Sequence, residues 1–187
     1  MINALAEEDT NETSVKSVLN QSEVQEFMQF NLKKSKNYSI PLHIVNRLEE
    51  FSSREVEYTG AVPLMRYRGE VMPLLFIERQ LELCSIDECL IDFYPELLKV
   101  IVVDLHNKQY GIVVDEILDI GTTDAQLDTR NTDREGFIGT IFIGDKTATI
   151  VDIHFLIHNY INFEKELIKD DEQEVYFNNN VSRSKAA

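Results

Sequence analysis

The stretch that decides the fold reads Arg66-Tyr67-Arg68-Gly69-Glu70-Val71-Met72-Pro73-Leu74-Leu75. Arg66, Arg68 and Glu70 alternate with Tyr67 and Gly69, the period of a strand with charge on one side. Val71, Met72, Leu74 and Leu75 are apolar and call for burial. Gly69 admits a backbone conformation or a close approach that other residues resist. Pro73 has no N–H to give to a ladder, so the spacing puts it on an edge strand, at a bulge or at a strand end. A charged, Pro-marked edge either blunts a sheet or presents it to one chosen partner. Two short strands, residues 62–67 and 70–75, turning at Arg68-Gly69, therefore predict a β-rich docking module.

The same reading extends upstream. Residues 1–21 are polar and acidic and are expected to form a mobile arm. Phe27, Met28, Phe30 and Leu32, then Tyr38, Ile40 and Leu42, predict a hairpin turning at residues 33–37. Ile44, Val45 and Leu48 follow Pro41 and fit either a helical turn or a strand; residues 51–53 read as loop. Residues 55–59 alternate as a short strand that Gly60 ends, and residues 76–83 have helical spacing.

Downstream, residues 84–98 form an irregular connection that divides the chain into comparable halves, each with strands enough for one small barrel. Residues 100–105, 110–115 and 117–120 read as apolar strands. Residues 121–135 are polar apart from Leu127 and predict a long surface loop. Residues 137–143 and 147–153 form a hairpin around Gly144-Asp145-Lys146. Asp152 is placed to cap a helix carrying Phe155, Leu156, Ile157 and Tyr160. The domain is expected over 23–168, between an arm at 1–22 and a tail at 169–187 that turns acidic and Asn-rich. About ten short strands at this spacing favour barrels or a sandwich over a parallel sheet with crossover helices.

A chain of 187 residues buries enough surface to fold without a disulfide or metal. It has 33 acidic residues against 18 basic ones, a net charge of −15. That field disfavours nucleic acid and anionic membrane surfaces as partners. No apolar run reaches the ~18 residues of a membrane span, and the acidic start is the wrong charge for a secretory signal. Cys84 and Cys89 read as reduced thiols.

Catalytic motifs are absent: there is no G-x-S-x-G elbow and no phosphate-binding glycine loop. Asp104, Asp115 and Asp152 each follow a valine at a strand end, where Asp closes strands and caps turns. Together with His154, which lies four residues before His158, they define an alternative, a metal-dependent hydrolase. No cofactor is expected.

Four motifs in order resemble the CheW-like domains of bacterial chemotaxis. They are Tyr38-Ser39-Ile40-Pro41-Leu42 with Val45 and Arg47; Tyr67-Arg68-Gly69-Glu70-Val71-Met72-Pro73-Leu74; Gly111-Ile112-Val113-Val114-Asp115-Glu116-Ile117; and Gly139-Thr140-Ile141-Phe142-Ile143 with Ile150-Val151-Asp152-Ile153. The match runs from about Val24 to Tyr160. Tyr67-Arg68-Gly69-Glu70 looks most like the C-terminal regulatory domain of the histidine kinase CheA, although no phosphotransfer, dimerisation or ATP-binding motif accompanies it.

The resemblance implies a mainly β fold: two intertwined five-stranded SH3-like barrels sharing a hydrophobic core, with a C-terminal helix. It implies a non-catalytic scaffold, cytoplasmic and at receptor arrays, that couples chemoreceptors to the kinase. Its partners would be a CheW-like adaptor or a CheA kinase and the chemoreceptor cytoplasmic tips. Leu64, Met65, Tyr67, Arg68, Gly69, Glu70 and Met72 would form the docking surface for that adaptor or kinase. Val45, Arg68, Ile117 and Leu118 would line the receptor groove. On this reading Met65→Asp is expected to spare the fold and abolish binding.

Overall fold

A computed structural model describes residues 24–32, 35–60, 62–81, 83, 96–105, 107–130 and 134–162. The expected arm at 1–22, the tail at 169–187, and Cys84 and Cys89 lie outside the described residues.

The described residues form eleven strands: β1 (Gln25–Leu32), β2 (Ser35–Pro41), β3 (Val45–Ser52), β4 (Glu57–Thr59), β5 (Val62–Tyr67), β6 (Glu70–Phe76), β7 (Leu97–Leu105), β8 (Lys108–Val114), β9 (Glu116–Thr123), β10 (Phe137–Ile143) and β11 (Lys146–Val151). One helical turn, α1 (Ile77–Gln80), follows β6. A helix over residues 153–162, α2, follows β11. Asp152 caps α2 as expected: its Oδ1 accepts the Phe155 amide at 3.0 Å, and its carbonyl accepts the Leu156 amide.

The strands assemble into a five-stranded sheet, β10-β11-β2-β1-β9, and a six-stranded sheet, β3-β7-β8-β6-β5-β4. This corrects the division into halves. The first sheet takes two strands from the start of the chain and three from its end, while the second takes the middle. The two sheets are thus intertwined in sequence, as the resemblance implies, and each is open, its edge strands not paired with one another, so the SH3-like barrels are left unclosed and the second carries one strand more than expected. Three apolar clusters follow from this order. Phe27, Ile141, Ile143 and Ile150 fill the first sheet's concave side. Met65, Met72, Leu74, Val100 and Val102 fill the second's. Phe30, Ile40, Leu75, Ile101, Ile112 and Leu156 form a core shared by both sheets and α2.

Alternation explains how one strand serves two clusters. Side chains on a strand point to opposite faces in turn, so Leu74 enters the second barrel while Leu75 enters the shared core. Both are essentially inaccessible to solvent, at 1% and 0% exposure.

Pro73 departs from the edge-strand expectation. It is buried in β6, an interior strand. Its partner Leu64 is the last β5 residue in register with β6, and the parallel ladder to β8 begins one residue later, at Leu74↔Gly111. Pro73 therefore marks the handover from one neighbour to the other, where a missing N–H is tolerated. None of the three expected placements holds: Pro73 stands mid-strand in an interior strand with no bulge, at the change of neighbour. The edge strand on this side is β4.

Two other local readings change. The segment after Pro41 is a 3-10 turn at Leu42–Ile44 and then strand β3, which takes in Phe51 and Ser52, read from sequence as loop. A reciprocal pair, Arg54 N to Ser52 Oγ and Ser52 N to Glu55 Oε1, each 3.3 Å, ends β3 and sets the turn into β4. The expected surface loop 121–135 begins in strand: Gly121–Thr123 complete β9. Further on, Asp128 exchanges both backbone hydrogen bonds with Thr140, at 2.8 and 2.9 Å, and Leu127 packs on the first barrel's core. This connection thus pairs along the outer side of β10.

Candidate functional site

The hairpin tip joining β5 to β6 is built from Tyr67, Arg68, Gly69 and Glu70, with Tyr67 and Glu70 in register. Arg68 has φ +53° and Gly69 has φ +88°. Positive φ at both central positions is the two-residue turn that matches the right-handed twist of the flanking strands. Gly69 takes it freely. Arg68 takes it against the usual steric preference of an L-residue. Its guanidinium lies over the Tyr67 ring, 5.3 Å from the centroid, so the exposed cation is held at the tip by a ring that is itself buried.

Tyr67 reaches inward from there. Its hydroxyl donates to Glu49 Oε1 at 2.7 Å, and its ring meets Phe51 edge-on at 5.7 Å. Burial, first, and the Glu49 carboxylate, second, push its phenol above the usual range. Beside the tip lies a polar cavity of about 580 Å³, bounded by Tyr67, Arg68, Glu70, Asp104, Asn107 and Gln109. Asp104 Oδ2 accepts a hydrogen bond from Asn46, the residue after Val45.

Period-two alternation divides the expected docking residues. Met65, Tyr67 and Met72 point into the second barrel and are 1%, 6% and 1% exposed. They are core, and the expectation that Met65→Asp spares the fold is corrected on that ground. Arg66, Arg68, Gly69 and Glu70 are exposed, and Leu64 is half-buried. Val71, which the sequence reading left out, is 57% exposed, and it stands opposite Arg66. Arg66 in turn lies 3.8 Å from Glu57 across the outer face. The signal that finds Val71 is plain alternation: Met72 inward places Val71 outward. The same logic applies to Phe142 on the first barrel, which is 60% exposed between buried Ile141 and Ile143.

The expected groove residues lie on three different elements. Val45 and Ile117 both pack, half-buried, against the shared core, from β3 and β9. Leu118 is exposed beside Ile117, as are Ile120 on β9 and Leu48 on β3. Arg68 is instead at the hairpin tip, and its link to Val45 is indirect, through Asp104 and Asn46.

The alternative metal site does not assemble. Asp104 is engaged by Asn46, and Asp152 by the start of α2. Among the described residues no three His, Cys, Asp or Glu side chains converge as a metal would require. No helix among the described residues is long and apolar enough to cross a membrane.

Comparison with known proteins agrees with this architecture. Residues 26–160 match the family model for the CheW-like domain. The crystal structure of the scaffolding protein TtCheW from Thermoanaerobacter tengcongensis superposes with a TM-score of 0.59 at 16% identity, covering 72% of this chain and 92% of that one. No curated protein matches.

Proposed function

The chain belongs to the CheW-like domain family, and from that premise we propose that it is a non-catalytic signalling scaffold of bacterial chemotaxis. It couples chemoreceptors to the histidine kinase by docking between CheW-like domains. Its partners are a CheW-like adaptor or a CheA kinase, together with the cytoplasmic tips of the receptors. It works in the cytoplasm at receptor arrays.

The observation that carries this reading is the outer face of β5 and β6. Val71 is an exposed apolar residue between exposed Glu70 and buried Met72, with Arg66 opposite it and the fixed cation of Arg68 at the nearby tip. An apolar centre with a charged rim is the composition of a docking patch. Phe142 gives the first barrel its own exposed aromatic. Two unlike patches, one on each barrel, suit contacts that alternate barrel to barrel between neighbouring domains. Half-buried Val45 and Ile117 on the shared core, with exposed Leu118 next to Ile117, are the apolar residues assigned to a receptor helix.

Calorimetric titration of the purified chain with a CheW-type adaptor tests this, with a receptor-tip peptide added second. Micromolar association is expected, weakened by Val71→Asp or by Phe142→Asp according to which barrel the adaptor engages. Leu118→Asp is expected to weaken only the receptor step. An absence of heat with adaptor, kinase and receptor tip alike overturns the proposal.

A further inference from the structure

Four strands stand at the sheet edges, β9 and β10 in the first sheet and β3 and β4 in the second. Three of them are short or covered. β4 has three residues. β10 is bridged on its outer side by Asp128, which exchanges backbone hydrogen bonds with Thr140. β9 meets Ile143 of β10 over Gly121. β3 has eight residues and no such cover. Among the described residues its ladder runs to β7 alone, so alternate residues along it direct N–H and C=O away from the sheet. Arg47, Leu48 and Glu50 are exposed on this edge, and Leu48 is an apolar side chain at 45% exposure. An unpaired edge of this length is a template for a further strand.

The residues of the edge identify that strand. When two identical strands pair antiparallel about a two-fold axis, the central residue faces its own counterpart, and residues equally far from the centre face each other. Side chains directly opposite share one face of the sheet, about 5 Å apart at Cβ. Centred on Leu48, the pairing sets Leu48 against Leu48, and Arg47 of each copy against Glu49 of the other. Centred on Arg47, Glu49 or Glu50, it sets a charge against its own copy. Of the four middle residues of β3, only Leu48 gives a complementary register. The side chains are free to use it. Arg47 and Glu49 stand opposite Val102 and Val100 on one face, and Leu48 opposite Ile101 on the other. Arg47 forms no ion pair among the described residues, and its Nε donates to Asn46 Oδ1 at 3.3 Å. Glu49 gives Oε1 to the Tyr67 hydroxyl and keeps Oε2 for a cation.

We propose that β3 pairs with β3 of a second copy of this chain, antiparallel about Leu48, and joins the two six-stranded sheets across a two-fold axis. The contact is isologous, so it closes at two copies and does not run on into a fibre. It is narrow, because the irregularity between Val45 and Arg47 bends the strand at one end. A narrow contact makes a weak, reversible dimer. The net charge of −15 on each copy opposes it at long range. At about 0.15 M salt that field is screened beyond about 8 Å, and the close Arg47–Glu49 contacts remain. The edge is separate from the Val71 and Phe142 faces and stands or falls independently of them.

The test is sedimentation equilibrium of the full chain from about 10 μM to about 1 mM, in about 0.15 M salt. A reversible monomer–dimer equilibrium is expected. It should weaken about tenfold or more in Arg47→Glu, which faces Glu49 with a like charge, and in Leu48→Asp and Leu48→Lys, which each put two like charges at the centre. Mixing the Leu48→Asp and Leu48→Lys proteins sets opposite charges at the centre and is expected to restore a dimer that neither forms alone. Val71→Asp is expected to associate as the parent does. All these positions are exposed, so circular dichroism and melting of the variants are expected to match the parent. A chain that stays monomeric at about 1 mM overturns the proposal. So does association unchanged in Leu48→Asp and Arg47→Glu, or a mixture of the two Leu48 variants that sediments as monomers.

Discussion

The Tyr67 hydroxyl donates to Glu49 Oε1 at 2.7 Å, tying the hairpin strand β5 to the edge strand β3 across the second barrel. The two strands are not neighbours in the sheet; β7, β8 and β6 lie between them. The bond therefore spans the concave side of the barrel, and the ring that makes it also carries Arg68.

Tyr67→Phe keeps the ring, its contact with Phe51 and the Arg68 stack, and removes only the hydroxyl. The expected loss is about 1.5 kcal/mol, the low end for a hydrogen bond to a charged group, because Glu49 is only half-buried and can rehydrate. For a domain this size that is about 4 °C in Tm by differential scanning calorimetry. The alkaline limb offers a second readout. The folded phenol titrates above its ordinary value of 10.0. Its contribution is therefore complete below pH 10 and is lost as pH rises through the folded pKa. Melting temperatures of Tyr67→Phe should fall less steeply above pH 10 than those of the parent.

Met65→Asp and Val71→Asp are expected to separate fold from docking. Met65 is 1% exposed among Tyr67, Met72 and Val100, so a carboxylate there has no partner. A loss of about 4 kcal/mol or more is expected, enough to unfold a marginal domain. Val71, at 57% exposure, should accept Asp with a change within about 0.5 kcal/mol. Urea denaturation of the two variants checks this, and comparable destabilisation by both would contradict the assigned faces.

That pair of residues also shows what was legible in the sequence and what was not. Alternation identified the strands, the Arg68-Gly69 turn and the Asp152 cap because each is a local rule. Which parity faces inward is not local. Residues 62–72 carry apolar side chains on both faces, Met65, Tyr67 and Met72 on one and Leu64 and Val71 on the other. Only the packing of β7 and β8 against the first set decides between them. Sheet membership was hidden for the same reason. Nothing in the spacing of β1 and β2 shows that they pair with β9 and β11 rather than with the strands that follow them. The four ordered motifs carried that information, through the family they resemble.

Asp128 gives a prediction in acid. Arg130 holds its carboxyl down, mainly through the side-chain hydrogen bonds at 2.9 and 2.7 Å and then through the Arg130 amide at 3.0 Å, to about 2. A depressed carboxyl contributes stability that is present above its ordinary value of 3.8 and is lost as pH falls towards 2. The pair lies at the surface, with Arg130 exposed, so the effect on global stability is small. Carbon-detected NMR titration should show the Asp128 carboxyl shift moving only below pH 3. In Arg130→Gln the midpoint should return towards 3.8, the ordinary value. The backbone bridge to Thr140 does not depend on that charge and should keep its amide protection in both proteins.

Gly121 tests how the two edges of the first sheet approach each other. Its strand β9 and the strand β10 are the two edges of the five-stranded sheet. A Cβ on Gly121 would lie 2.1 Å from Ile143 Cγ2 on β10 and 2.7 Å from Gln29 Nε2 on β1. The side chain of Ile143 thus occupies the space a residue at 121 would need, and the two edges meet through that contact. Gly121→Ala must displace Ile143 from the first barrel's core. Such overpacking is expected to cost about 2 kcal/mol, measured as a fall in the denaturation midpoint with an unchanged slope. The double variant Gly121→Ala with Ile143→Ala removes Cγ2, the obstructing atom, and should cost less than the sum of the two single changes. If the two changes add without recovery, Ile143 is not what fills the space above Gly121, and the edges of the barrel are held together by something else.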